Sequence, residues 1–398
     1  MNQLRSVELF GGAGGLALGM HRAGFTSEMF VEWDRWACDT VRENAKAGHP
    51  DVQDWSVRQG DVREVDWSGL NGEIDLVSGG PPCQPFSMGG RARAADDKRD
   101  MFPAAAEVIR SLRPRAFVLE NVRGLARAAF SNYLQLIQLR LQHPDLPPRL
   151  DETWLEHLAR LQSEHTSNRQ GLTYKTVLTV VNAADYGVPQ QRHRVLIVGF
   201  RSDVNAEWAM PMASHSHDAL LRAQWVTADY WDEHEVATAA RPPFPDRFRA
   251  RVAKIRSGEI EVTTDRWRTV RDALADVPEP RSGGVRGWHN HVLQEGARSY
   301  PGHDGSPVDM PAKTLKAGGH GVPGGENMLR RVDGSIRYFS VRESARLQTF
   351  PDDYRLHGAW GEAMRQIGNA VPVQLAKVVG DSVAQHLRRA EPRLRVAG

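Results

Sequence analysis

The chain is poor in cysteine: 398 residues carry two, Cys38 and Cys83. That excludes a disulfide scaffold, and so sparse a thiol content fits a reducing interior. No run is long and apolar enough to span a bilayer. The strand-like run Val7–Phe10 begins almost at once, leaving no room for a secretory leader, so the cytoplasm is the expected location. Charge of one sign is lacking too. The formal net charge is +2, so the molecule as a whole is no polycation. There is no internal repeat, and no metal is expected.

The length allows one large domain or two, with enough apolar residues for a proper core. Through the first two hundred residues strand-like and helix-like segments alternate. Ser6–Phe10, Phe30–Glu32, Ile74–Ser78 and Ala116–Leu119 read as strands. Leu16–Arg22, Arg35–Ala45 and Phe102–Leu112 read as helices between them, and Tyr174–Val181 with Arg194–Phe200 as a strand pair. This alternation predicts a doubly wound, mostly parallel α/β sheet. Leu134, Ile137 and Leu141, then Leu155, Leu158 and Leu161, have helical spacing around a Pro-rich break, which predicts an inserted helical hairpin over 131–170. Regularity is lost over 201–335 and returns in Val341–Leu347 and Val371–Leu387. The expected division is an α/β body over 1–200, a smaller irregular module over 201–335, and a segment over 336–398 that returns to the body.

Arginine is unevenly spread. Arg241, Arg247, Arg249, Arg251, Lys254, Arg256, Arg266, Arg268 and Arg271 crowd one stretch of that middle module. Guanidinium forks can anchor phosphates, although such a run also serves as an ordinary solvated face. The eleven tryptophans are scattered, as core residues usually are.

Cys83 stands out by its setting, Gly79-Gly80-Pro81-Pro82-Cys83-Gln84-Pro85-Phe86-Ser87, directly after the apolar run Ile74–Val77. Two glycines and two prolines end a strand abruptly, so a thiol is held at a strand's carboxyl end, where open α/β sheets bind ligands. A structural cysteine normally sits in apolar periodicity. The pattern favours a nucleophile.

A cofactor site is suggested at the first strand. Val7-Glu8-Leu9-Phe10-Gly11-Gly12-Ala13-Gly14-Gly15 runs from strand through a glycine-rich turn into a helix, whose first amides are free to bind a ligand. Such turns serve dinucleotides, phosphates and purely structural corners alike. Glu32, some 20 residues on, is placed to bind ribose hydroxyls, and Asp61 after Gly60 to accept from an adenine amino group. The spacing fits an adenosine-containing cofactor without saying which. Further along, Glu120 ends another buried strand, and Gln190-Gln191-Arg192-His193-Arg194 opens one more. Alternation along a strand would point Arg192 and Arg194 to the same side. Each of these residues also has an ordinary reading, as a capping acid or a salt-bridge partner.

In this order the segments resemble the cytosine-5 DNA methyltransferases of bacterial restriction–modification systems. The resemblance rests on Phe10-Gly11-Gly12-Ala13-Gly14-Gly15, Glu32-Trp33-Asp34, Gly60-Asp61-Val62, Pro81-Pro82-Cys83-Gln84 and Glu120-Asn121-Val122. It continues through Gln190, Arg192 and Arg194, Arg342-Glu343 with Arg346-Leu347-Gln348, and Gln366-Ile367-Gly368-Asn369-Ala370-Val371-Pro372. It covers most of the chain outside 131–170 and 201–310. Glu8 stands where many relatives have Asp. The resemblance implies S-adenosylmethionine as cofactor, held by Phe10, Gly12, Gly14, Gly15, Glu32, Trp33, Asp61, Val62, Gly79 and Pro81, with Asn369, Ala370 and Val371 from the C-terminal segment. It implies Cys83, Glu120, Arg192 and Arg194 as catalytic residues. Pro82, Gln84, Ser87, Gln190, Thr314 and Leu315 are implied to face DNA or the base, with the Gly-rich stretch Ala317–Gly325 close to a groove.

The chemistry explains why such residues are needed. Carbon 5 of cytosine is a poor nucleophile until a thiolate adds at carbon 6. Glu120, holding or sharing a proton, would bond ring nitrogen 3 and the exocyclic amine as Cys83 adds. Arg194 would bind the base carbonyl, with Arg192 as electrostatic partner. None of these groups reaches a stacked base, so the nucleotide must flip out, and the irregular module would read the DNA. Double-stranded DNA is thus the expected partner. A restriction endonuclease would act alongside without a stable complex, and the enzyme would work as a monomer. Rival readings are a transfer-RNA methyltransferase, a catalytically silent DNA-binding regulator, and a thymidylate synthase-like enzyme. The absence of any cysteine after Cys83 counts against the first. The intact Cys83 and Glu120 blocks count against the second, and the recognition module against the third.

Overall fold

The run Leu4–Leu9 (β1) is buried along nearly its whole length, as a strand with neighbours on both edges and helices on both faces must be. A computed structural model describes residues 3–70, 72–82, 100–166, 171–301, 303–317 and 327–390. After β1 come α1 (Gly15–Arg22), β2 (Phe25–Glu32), α2 (Arg35–Lys46), β3 (Val57–Gln59), β4 (Leu76–Gly79), α3 (Phe102–Leu112) and β5 (Ala116–Val122). Then follow α4 (Ser131–Gln142), α5 (Trp154–Thr166), β6 (Tyr174–Asn182) and β7 (His193–Arg201). The expected helices and strands of this half are therefore present.

The seven strands form one sheet in the order β3-β2-β1-β4-β5-β7-β6. Pairings among β3, β2, β1, β4 and β5 are parallel, and β7 runs antiparallel to β5. The expected doubly wound, mostly parallel sheet is what forms. Strand order reverses between β1 and β4, and such a switch point opens a crevice at the carboxyl ends. Val7, Val77, Phe117 and Ile197 from the strands pack with Ile109, Leu136 and Leu161 from the helices in one core. Each such burial is worth roughly 1.5–3 kcal/mol.

The second half is built from shorter pieces: β8 (His215–Ser216), α6 (His217–Trp225), α7 (Asp229–Glu233), α8 (Arg249–Arg256), β9 (Asp265–Arg266) and α9 (Val270–Leu274). Next come β10 (Ser306–Pro307), β11 (Met328–Arg330), β12 (Ile336–Tyr338), α10 (Val341–Leu347), α11 (Trp360–Asn369) and α12 (Val373–Ala390). Helix α10 starts where Ser340 and Glu343 form a reciprocal capping box. Buried Tyr230 and Trp231 make a separate small core with Leu220.

The chain divides into two compact units. One comprises Met1–Val181, His193–Pro211 and the chain from Ala376 on, and the other Asn182–Arg192 with Met212–Leu375. This partition differs from 1–200, 201–335 and 336–398. Residues 182–192 and 336–375 group with the middle module: Arg192 donates both to the carbonyl of Leu315 in that module and to that of Gly368, and Gln190 donates to the carbonyl of Leu347. Only the length of α12 from Ala376 rejoins the α/β unit. There Arg115, just before β5, reaches Asp75 at 2.8 Å and the carbonyl of Leu387 in α12 at 2.9 Å.

Candidate active site

Strand register brings the predicted residues of the first unit to one sheet edge. Leu9 of β1 pairs with Val31 of β2 and Gly79 of β4, and Gly79 pairs with Leu119 of β5. Glu32 pairs with Gln59. Phe10, Glu32, Asp61, Pro81 and Glu120 therefore all leave their strands at the same carboxyl edge. Because β7 is antiparallel to β5, its first residues come to that edge too, and Arg194 pairs with Val122.

The turn after β1 is wound tightly. Phe10 sits at φ 52, a region few non-glycine residues adopt, and Gly12 follows at φ 55 with open space where a side chain would stand. Gly14 caps α1, whose first residue is Gly15. The Glu32 carboxylate accepts from the amide of Gly12 at 2.7 Å and from that of Asp34 at 2.6 Å. Burial pushes its pKa up, with these two amides opposing. Next to it Trp33 is 71% exposed, a large indole face left bare. Asp61 is less free than its sequence suggested. Its carboxylate takes the amide of Arg63 at 2.9 Å and is forked by the Arg63 guanidinium, which holds its pKa below the usual range. Val62 is buried behind it. Arg63 was missed because nothing local marks a salt bridge to the residue two before it.

At β4 and β5 the geometry tightens around Glu120. Arg194 Nε lies 2.5 Å from Glu120 Oε1, and both side chains are buried. Arg194 Nη1 donates to the carbonyl of His193 at 2.8 Å, and Nη2 has no partner among the described residues. Burial lowers the Arg194 pKa, and Glu120 opposes that. The other carboxylate oxygen, Oε2, faces Gly80: a Cβ built there would stand 3.3 Å from it. Asn121 Nδ2 donates to the carbonyl of Pro81 at 2.9 Å, tying the two strand ends together. Pro82 is exposed. Cys83, Gln84 and Ser87 lie outside the described residues, as does most of Ala317–Gly325.

Several expectations need correction. Arg192 and Arg194 take different partners. Arg192 precedes β7, so strand alternation does not govern it, and its fully buried fork donates to the carbonyls of Leu315 at 3.0 Å and Gly368 at 2.7 Å within the second unit. Gln190 and Leu315 are buried rather than presented to DNA: the Leu315 amide donates to Gln190 Oε1 at 3.1 Å. Thr314 Oγ1 donates to the carbonyl of Gln191 at 2.7 Å. These polar groups satisfy buried backbone, as interior polar groups must. Asn369 is exposed at the end of α11, while Ala370 and Val371 are buried in the second unit.

The arginine run is also mostly spoken for. Arg241, Arg249, Arg251, Lys254, Arg266 and Arg271 pair with Asp232, Asp246, Asp218, Glu259, Asp272 and Asp309. Among the described residues, Arg247, Arg256 and Arg268 of this run make no ion pair. Glu233, His234 and Asp272 lie close enough to hold a cation, but Arg266 already neutralises both acids. No helix among the described residues is long and apolar enough to cross a membrane.

Known proteins resemble this chain in sequence and in fold. The family model for C-5 cytosine-specific DNA methylases matches residues 4–144 and 160–385. The Type II methyltransferase M.PspPI of Psychrobacter sp. (strain TA137) is 31% identical over 389 residues, covering 96% of this chain and 80% of that protein. The Type II methyltransferase M.NgoMIV of Neisseria gonorrhoeae is 30% identical over 396 residues, 97% of this chain and 99% of its own length. In fold, the chain is similar to the Dnmt2 methyltransferase of S. pombe at a TM-score of 0.55 and 17% identity, covering 98% of this chain and 99% of that one. With its model matched over most of the sequence and relatives aligned nearly end to end, the chain belongs to the C-5 cytosine-specific DNA methylase family.

Proposed function

We propose that this methylase transfers a methyl group from S-adenosylmethionine to carbon 5 of a cytosine flipped out of a specific short double-stranded DNA sequence, through a transient Cys83–cytosine bond. The observation that carries the reading is the Glu120–Arg194 pair set against Gly80, at the end of the strand whose chain continues through Pro81 and Pro82 to Cys83.

The turn after β1 fits an adenosine-bearing donor. Gly12 leaves open space at φ 55, Glu32 is fixed beside it by two amides, and Trp33 offers an uncovered ring. Bound there, the sulfonium supplies an electrophilic methyl group. Glu32 would hold the ribose hydroxyls through lone pairs its amide bonds leave, and Trp33 would cover the adenine. Asp61 would meet the adenine edge while sharing its oxygens with Arg63.

The remaining chemistry belongs to Cys83, Glu120 and Arg194. As the Cys83 thiolate forms its bond to carbon 6, negative charge moves onto the ring, and a protonated Glu120 donates from Oε2 to nitrogen 3 and accepts from the amine, taking the proton back when the thiolate leaves. Arg194 Nη2 binds the carbonyl oxygen while Nε keeps Glu120 in place. Carbon 5, now enamine-like, takes the methyl group. Its proton then leaves to water, the carbon 5–carbon 6 double bond re-forms, and the thiolate is expelled. Flipping the base costs a few kcal/mol, repaid by contacts of the second unit with DNA.

The names of the relatives as Type II methyltransferases support a place in restriction–modification. In that role the enzyme acts as a cytoplasmic monomer and shields host DNA from a cognate endonuclease that it need not bind. Incubation with donor and a duplex carrying 5-fluorocytosine tests the reading. The expected result is a denaturation-resistant adduct at Cys83, lost in Cys83→Ala, with bisulfite sequencing giving the site. Methylation of normal duplex without any adduct would overturn it.

A further inference from the structure

The family match stops at residue 144 and resumes at 160, and the omitted segment walls a cavity of about 580 Å³ in the first unit. Helix α3 contributes Phe102 to it, α4 contributes Tyr133 and Arg140, and the omitted segment contributes Thr153, Trp154 and Leu155. Cavities of this size hold small organic molecules. Its walls mix apolar and aromatic side chains with polar ones, Asp100, Glu152 and His157 among them: Phe102 and Tyr133 are buried, and Leu155, at 54% exposure, leaves an apolar edge open to solvent.

Arg140 is the anomaly. It lines this space with no hydrogen bond or ion pair among the described residues, and burial pushes its pKa down against the more distant charges of Asp100 and Glu107. The neighbouring acids are engaged elsewhere. Asp100 accepts from the Tyr133 hydroxyl and from the amide of Phe102. Glu107 accepts from Arg110 at 3.0 Å, and Glu152 from Arg160 at 2.7 Å. Arg140 is half-buried, and a charge partly shielded from water without a dedicated counter-ion is costly, so the arrangement gains if an incoming anion supplies one.

We propose that this cavity binds a small aromatic carboxylate, its anion paired with Arg140 and its ring lying among Phe102, Tyr133 and Trp154. The guanidinium fork suits a carboxylate bidentately, and the flat side chains suit a ring. Because the segment that closes the cavity is the one the family model omits, the site belongs to this chain rather than to the shared reaction.

Calorimetric titration of the full-length protein tests this with indole-3-acetate and its neutral isostere indole-3-acetamide. The acetate should bind saturably and at least about tenfold more tightly than the amide, the ratio one charge-assisted hydrogen bond provides. Arg140→Gln should erase that ratio while DNA methylation continues, which shows the variant folded. Leu155→Trp, which keeps Arg140 and fills the open edge, should weaken acetate binding at least about tenfold and carries the test if Arg140→Gln misfolds. No binding of the acetate to the wild type, equal binding of acetate and amide, or an unchanged ratio in folded Arg140→Gln would each overturn the proposal. So would undiminished acetate binding in Leu155→Trp.

Discussion

Glu120 and Arg194 meet at 2.5 Å across the antiparallel β5–β7 pair although they are not register partners, since Glu120 lies opposite Leu196 and Arg194 opposite Val122. The long arginine reaches diagonally, as extended side chains in a sheet can. Glu120→Gln should therefore do two things. Leaving Arg194 buried without its anion costs about 3–5 kcal/mol, and removing the acid lowers turnover about 10²–10⁴-fold. Urea unfolding and methyl-incorporation rates measure the two separately. Wild-type turnover in a folded Glu120→Gln would remove Glu120 from the mechanism.

Gly80 limits where that carboxylate can be. A methyl group at its Cβ position would stand 3.3 Å from Glu120 Oε2, so Gly80→Ala must displace the acid by a few tenths of an ångström. Turnover should fall by about tenfold or more, because small misplacements of catalytic groups are expensive. The KM for the methyl donor should stay near the wild-type value. A changed KM with intact kcat would place the effect at the cofactor instead.

The two arginines of the Gln-x-Arg-x-Arg segment should separate in the same assay. Arg192→Lys leaves carbonyls of Leu315 and Gly368 short of donors, at roughly 1–3 kcal/mol each, and should mainly lower stability. Arg194→Lys should mainly lower kcat. Equal losses of kcat with unchanged melting in both would contradict the buried, carbonyl-binding role of Arg192.

Glu8 predicts a pH dependence. It is fully buried between Ser6, 2.8 Å away, and Ser78, and burial raises its pKa to about 7 from an ordinary 4.5. Between those values the folded chain holds a proton the unfolded chain has lost. Stability from this group therefore falls as pH rises, by about 1.4 kcal/mol per unit, and levels off above pH 7. Glu8→Gln should flatten that slope in urea unfolding at pH 5, 6, 7 and 8. Identical slopes in both proteins would show that Glu8 is ionised in the fold throughout.

Much of this was legible in the residues themselves. Buried parallel strands write themselves as apolar runs, and Gly11-Gly12 and Gly80-Pro81 mark where two of them end. Phe10, Glu32 and Glu120 could be placed from that alone. What stayed hidden depends on partners far away in sequence. Arg251 is neutralised by Asp218 and Arg271 by Asp309, so a run that reads as free positive charge is largely spent. Arg192 and Arg194 looked equivalent because no local signal marks His193 as the first residue of β7. The counter-ion-free setting of Arg140 arises only when α3, α4 and the 145–159 segment pack together.

The bond from Arg115 to the carbonyl of Leu387 joins two residues that stand 272 positions apart in sequence. Ribosomal synthesis thus delivers the seven strands well before the helix that locks the start of β5. An emerging polypeptide must hold that face of the sheet bare, or shielded by a chaperone, through nearly two hundred further residues. Its folding rate should be governed by that long wait, and refolding of the finished chain should outpace folding during synthesis.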